Sequence, residues 1–148
     1  MGTRSLTKFI ETYTDEKTGK KKKEIIAVMY RQMDGYPSGM GMDLADFLSK
    51  GKLVNGIGMT ENQLVFNGMG CLTAQVIAEL KDGPGSVYLC SPKVKDAGQN
   101  YEYEIEGDFD DKEIIFRCFE AGYGKSRRKK LFEGSPKDFE KFVEEEEA

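Results

Sequence analysis

Between Tyr101 and Glu106 the chain reads Tyr-Glu-Tyr-Glu-Ile-Glu, apolar and acidic residues in strict alternation. Alternate side chains of a β-strand point to opposite faces, so the stretch predicts a strand with one face in a core and one in solvent. Two-faced strands of this kind belong to antiparallel sheets covered on one side. The remaining elements fit around such a sheet. Residues 2–14 and Glu24 to Arg31 flank the turn chemistry of Asp15-Glu16-Lys17-Thr18-Gly19-Lys20, which predicts a long hairpin with a charged tip. Ser86 to Ser91, Lys112 to Glu120 and a short piece from Arg128 to Glu133 read as further strands.

Helices fall in separate blocks. Asp43 is placed to cap a short helix that carries Leu44, Phe47 and Leu48 on one face and stops at Gly51. Asn67 is placed to cap a second, over residues 68–81, with Met69, Leu72, Val76, Ile77 and Leu80 at helical spacing. Ser135-Pro136-Lys137-Asp138 opens a last helix with Phe139, Phe142 and Val143 as its buried stripe. The apolar pairs within residues 51–66 are too short to type. The order β-β-α-α-β-β-β-(β)-α predicts an α+β fold, an antiparallel sheet with helices packed on one face. Strands and helices do not alternate, which argues against a doubly wound sheet or an α/β barrel. Residues 1–143 form one domain, and the glutamate tail 144–148, badly placed at a helix C-terminus, is expected to fray.

The chain of 148 residues carries a net charge of −4 and no histidine. Without imidazole, Ser-His-Asp and Cys-His catalysis and histidine zinc sites are excluded. Cys71, Cys90 and Cys118 are scattered and odd in number, the pattern of buried thiols in a reducing cytosol. No apolar run is long enough to span a membrane, and Lys8 and Glu11 interrupt any secretory signal. Leu6 stands where a myristoylation motif wants Ser or Thr. A cytoplasmic protein with no membrane partner is expected. The basic runs Lys20 to Lys23 and Arg127 to Lys130 read as solvated hairpin ends, so nucleic acid is not the expected partner.

The stretch Tyr30 to Met42 concentrates the groups that recognise ligands. Arg31 can hold a phosphate or carboxylate bidentately, Asp34 can orient it, and Tyr30 and Tyr36 can stack on a base. The bland alternatives are an Arg31–Asp34 pair pinning a loop and tyrosines at a core edge. Asn67-Gly68-Met69-Gly70-Cys71 echoes Asn55-Gly56-Ile57-Gly58-Met59 and Gly39-Met40-Gly41-Met42. Glycines at a helix start let backbone N–H groups approach an anion, or simply allow close packing. No nucleotide-binding fingerprint is met. The expected ligand-binding set is Arg4, Tyr30, Arg31, Asp34, Tyr36, Asn67, Gly68 and Gly70, with no catalytic residue, metal or cofactor.

Met1-Gly2-Thr3-Arg4-Ser5-Leu6-Thr7, Tyr30-Arg31-Gln32-Met33-Asp34-Gly35-Tyr36-Pro37-Ser38-Gly39 and Phe66-Asn67-Gly68-Met69-Gly70-Cys71 together resemble a group of small uncharacterised proteins of phages, prophages and bacteria. The resemblance runs from the first residue to Phe139 and implies a bacterial or phage-infected cytosol and a role against host defence. Thr3 and Arg31-Gln32-Met33-Asp34 also resemble the choloylglycine hydrolase and penicillin acylase family of N-terminal-nucleophile enzymes. That family opens on a catalytic cysteine where this chain has Gly2, which has no thiol to attack an amide. The second resemblance therefore implies a related strand pattern with a pocket and no acyl transfer.

The first expectation for function is a non-catalytic protein that binds a small anionic ligand, such as a nucleotide, and sequesters a host defence signal. One alternative is a hydrolase of phosphate esters with Asp34 and Asp43 or Asp46 as base or Mg²⁺ ligands. Another is a protein-binding inhibitor that pairs through the Tyr101–Glu106 strand at a sheet edge. A homo-oligomer and a host protein partner are both left open.

Overall fold

The computed structural model describes residues 2–54, 64–108, 110–122 and 128–147. It begins with the expected hairpin. Strand β1 (Ser5–Thr14) pairs antiparallel with β2 (Lys21–Arg31). Gly19 closes the turn between them at φ 71°, with its N–H on the Asp15 carbonyl at 2.8 Å. A π-helical turn over Pro37–Gly41 leads into helix α1 (Met42–Ser49). Strands β3 (Gly51–Val54) and β4 (Leu64–Asn67) form a small parallel sheet of their own, and α2 (Gly68–Leu80) follows directly. The second half contributes β5 (Val87–Cys90), β6 (Tyr101–Asp108), β7 (Ile114–Glu120), β8 (Lys129–Gly134) and α3 (Pro136–Glu147). The Ser135 hydroxyl accepts from the Asp138 N–H at 3.2 Å, the cap its sequence predicts. Helix α3 includes all four glutamates of the tail, Glu144 to Glu147.

The large sheet runs β5-β2-β1-β6-β7-β8, and the fold is α+β. Four of its pairings are antiparallel; β1 and β6 are parallel, so the sheet is mixed where an antiparallel one is expected. Parallel neighbours cannot be joined by a tight turn. Strand β6 reaches β1 from β5 by a connection that crosses β2 and β1, and no local signal in the sequence reports that.

One face of the sheet carries the core. Phe9, Met29, Tyr103, Ile105 and Phe116 meet Leu44 and Leu48 of α1, Leu72 and Val76 of α2, and Phe139 and Val143 of α3, all in one buried cluster. Each fully buried large apolar side chain contributes about 1.5–3 kcal/mol. Gly41 allows the closest approach: a methyl group there would stand 2.7 Å from the Phe139 ring and 3.1 Å from Tyr103. Phe139 in turn packs edge-on against Phe116 at 4.8 Å between ring centres. Among the described residues no helix is long and apolar enough to cross a membrane.

The opposite face carries no helix, yet it is not the solvated face that the alternation predicts. Glu102, Glu104 and Glu106 are 5%, 8% and 5% exposed. Strand β6 is interior, paired with β1 on one side and β7 on the other. It offers no edge to a partner, which removes the expected pairing mode of an inhibitor.

Candidate functional site

Arg31, Asp34 and Tyr36 of the Tyr30–Met42 stretch each have a partner within the fold. The Arg31 guanidinium meets Asp43 at 2.7 Å and the Met40 sulfur at 3.1 Å; its partner is not Asp34. Asp34 sits at φ 56° and accepts from the Tyr36 hydroxyl at 3.2 Å, a contact that pushes the phenol above its ordinary pKa. Asp46 binds Lys50 one helical turn on. The three aspartates of the hydrolase alternative thus face three different partners. Among the described residues no group of three or more Cys, Asp or Glu side chains is arranged to hold a metal ion.

The other expected residues are spread over the molecule. Tyr30 lies on the helix-free face, one strand position from Arg31, and packs against Tyr88 at 6.2 Å between ring centres. Arg4 is exposed at the sheet end, with its guanidinium beside Gly98. Asn67 holds the position before α2 without a side-chain capping hydrogen bond, and Gly68 follows at φ 81°. Met69 packs against Gly107, a residue paired with Glu11, whereas Gly35 packs against Ser5. Six strand residues, about 20 Å, separate those two ends of the sheet. Helix α2, 13 residues and about 20 Å long, spans the same distance and brings Leu80, at its C-terminus, to the cleft beside Arg31. The expected pocket joining residues 30–43 to the Asn67 helix entrance is therefore not assembled.

The Gly39–Gly41 amides are taken as well. The Gly39 N–H donates to the Tyr36 carbonyl at 2.9 Å and the Met40 N–H to the Asp34 carbonyl at 2.7 Å. These glycines serve close packing and not an anion. The Asn55–Met59 echo lies outside the described residues. Cys118 is buried, which pushes its thiol up to about 12 and leaves it inert.

The side chains that do converge lie on the helix-free face, above β6. The Arg117 Nη1 reaches Glu106 at 2.8 Å and Glu104 at 3.4 Å, and its Nε reaches Glu133 at 2.7 Å. The Arg128 Nη1 reaches Glu102 at 2.8 Å and Glu104 at 2.9 Å, and its guanidinium lies 3.8 Å above the Phe119 ring. Lys23 meets Glu106 at 3.2 Å and Lys130 meets Glu133 at 3.2 Å. The Thr12 hydroxyl donates to Glu106 at 2.8 Å and the Gln99 amide to Glu102 at 2.8 Å.

This face is layered by charge. The carboxylates of Glu102, Glu104 and Glu106 form the floor, with side chains 6–11% exposed; Lys23 and Arg128 lie above them, 59% and 39% exposed. Burial pushes the Glu106 carboxyl up, but hydrogen bonds from Thr12, Arg117 and Lys23 outweigh it and hold the group below the usual glutamate range. Burial disfavours the charged form of Arg128, and Glu102 and Glu104 more than offset it, so the guanidinium stays charged. An open groove of about 580 Å³ runs over this floor, with Ile10, Ile25 and Phe119 as its apolar walls. Its lining has four cations (Lys23, Arg117, Arg128, Lys130) against three carboxylates (Glu104, Glu106, Glu133), and Glu102 of the floor, bonded to Arg128, brings the two signs level. The cleft beside Arg31 is the more acidic, two cations against Asp43, Asp46 and Glu79.

Sequence reasoning missed Lys23, Arg117, Arg128 and Lys130 as a group because 105 positions separate Lys23 from Arg128. One signal was present: three glutamates on one face of a strand require cations from elsewhere if that strand is interior. The chain matches no family model, no curated protein and no solved structure.

Proposed function

We propose that the protein is a non-catalytic binder of a small anionic ligand, taken in the groove on the helix-free face. The observation that carries this reading is the state of Arg128. Two buried carboxylates hold one of its terminal nitrogens and Phe119 supports its plane, while its Nε and Nη2 have no hydrogen-bond partner among the described residues. A guanidinium fixed in this way loses little entropy on meeting a phosphate or carboxylate, and its planar fork suits either group. Lys23 and Lys130 supply further charge along the same groove. A nucleotide is the ligand class of first interest. A host signalling nucleotide is the version that the resemblance to phage proteins implies. No geometric observation favours the hydrolase alternative.

Thermal shift with inorganic phosphate, mononucleotides and cyclic dinucleotides tests the reading. A ligand at a hundred times its Kd adds about 2.7 kcal/mol, or about 9 °C in Tm for a domain of this size. Arg128→Ala should abolish the shift. Arg128→Lys should lose most of it, because an ammonium offers neither the fork nor the flat stack. No shift with any of these anions, or a full shift retained in Arg128→Ala, overturns the proposal.

A further inference from the structure

On the helix-bearing side of the sheet, beside Tyr101, lies a recess of about 590 Å³. Tyr101 pairs with Glu120 and Glu120 with Lys129, so the three stand in a row across β6, β7 and β8. Tyr103, two residues on, is in the core, which puts the row on the same face. Strand β8 is bulged beside it. Cys118 pairs with Phe132 and Phe119 with Lys130, which leaves Leu131 without an opposite residue. Bulges re-aim side chains, and Leu131 packs against the core cluster and lines the recess. Phe142, Val143 and Glu146, at one-turn spacing on α3, line it from the helix layer.

The charges here are not neutralised as they are over β6. Glu120 and Lys129 stand opposite each other, yet neither side chain has an ion pair or hydrogen bond among the described residues. The Tyr101 hydroxyl has no hydrogen-bond partner among them either. Burial, with the Glu120 charge beside it, pushes the Tyr101 phenol above its ordinary pKa, so it stays a neutral donor. We propose that the recess binds a free amino acid with an apolar side chain. The ligand carboxylate meets the Lys129 ammonium and the Tyr101 hydroxyl, its ammonium meets the Glu120 carboxylate, and its side chain lies on Leu131, Phe142 and Val143. A volume of this size suits a small ligand held by an apolar surface and a few polar groups. One anion and one cation on neighbouring strands, roughly 5 Å apart at the backbone, match the two adjacent charges of a zwitterion. A simple carboxylic acid would set its charge beside Glu120, and a simple amine would set its own beside Lys129. Glu146 disfavours an acidic side chain on the ligand. This site is independent of the anion site around Arg128, which lies on the opposite face.

Isothermal titration calorimetry and thermal shift with phenylalanine and leucine test the proposal, set against hydrocinnamate and phenethylamine, which each lack one of the two charges. Loss of one charged hydrogen bond weakens binding roughly tenfold or more, so both analogues should bind at least that much less tightly than phenylalanine. Glu120→Gln and Lys129→Met should each lower the affinity for phenylalanine by a similar factor. Both positions are on the surface, and far-UV circular dichroism confirms that the variants are folded. Lys137→Ala, at an exposed position of α3, is the control that should change nothing. Inorganic phosphate should not displace the amino acid. Neither heat nor a Tm shift with either amino acid at millimolar concentration overturns the proposal. So does an analogue that binds as tightly as phenylalanine, full affinity retained in either variant, or displacement by phosphate.

Discussion

Arg117→Ala is the sharpest test of the charge-layered face. Arg117 is 14% exposed and bonded to Glu104, Glu106 and Glu133. Removing one partner of a buried ion pair costs about 3–5 kcal/mol, because the remaining charge stays in a poorly solvated site. The loss here is partly compensated. Glu106 keeps Lys23 and Thr12, Glu104 keeps Arg128, and Glu133 keeps Lys130. The lower end, about 3 kcal/mol, is therefore expected. Unfolding entropy of about 2.1 cal/mol/K per residue converts this into a fall of about 10 °C in Tm. The sign of its pH dependence follows from Glu106, whose folded pKa lies below its unfolded value. Such a carboxylate contributes stability that is present above the unfolded pKa and lost as pH falls through the folded one. Without Arg117 the Glu106 carboxyl takes up a proton more readily, so the penalty should be largest near neutral pH and shrink through the acidic range. Urea unfolding followed by circular dichroism at several pH values measures both effects. An unchanged midpoint at neutral pH, or a penalty that does not shrink in acid, would refute the reasoning.

Three further outcomes are expected. Tyr103→Phe removes a buried hydroxyl that donates to the Gly35 carbonyl at 2.7 Å; a loss of about 1–3 kcal/mol in urea unfolding is expected, with Gly35 amide exchange speeding up. Thr7→Val replaces a fully buried hydroxyl that has no hydrogen-bond partner among the described residues, so the midpoint should rise, by about 1 kcal/mol or more of added stability. In double-mutant cycles, Arg31→Ala should couple with Asp43→Ala by about 0.5–1 kcal/mol and with Asp34→Ala by much less, because Asp43 holds the guanidinium; the opposite ranking would place the loop's anchor at Asp34.

Period and punctuation made most elements legible in the sequence. The alternation at Tyr101–Glu106, the turn at Gly19, the helical spacing from Met69 to Leu80 and the Ser135 cap all act within a few residues of themselves, so the sequence alone determines them. It also determines, through the absence of histidine, which chemistries are closed to the chain. The neighbour of β1 was decided elsewhere. Placing β6 there depends on where a connection crosses the sheet, a balance of packing over the whole domain that no local window contains. The same step decided the site. It made β6 interior, buried its glutamates, and drew Lys23, Arg117 and Arg128 over them from two distant parts of the chain. The tertiary structure likewise pairs Arg31 with Asp43 and sets the glycines of α2 at the far end of the sheet. Local residues specify what each strand offers on each face; only the tertiary structure decides which charges those faces meet, because electrostatic partners are chosen by distance in space and not along the chain.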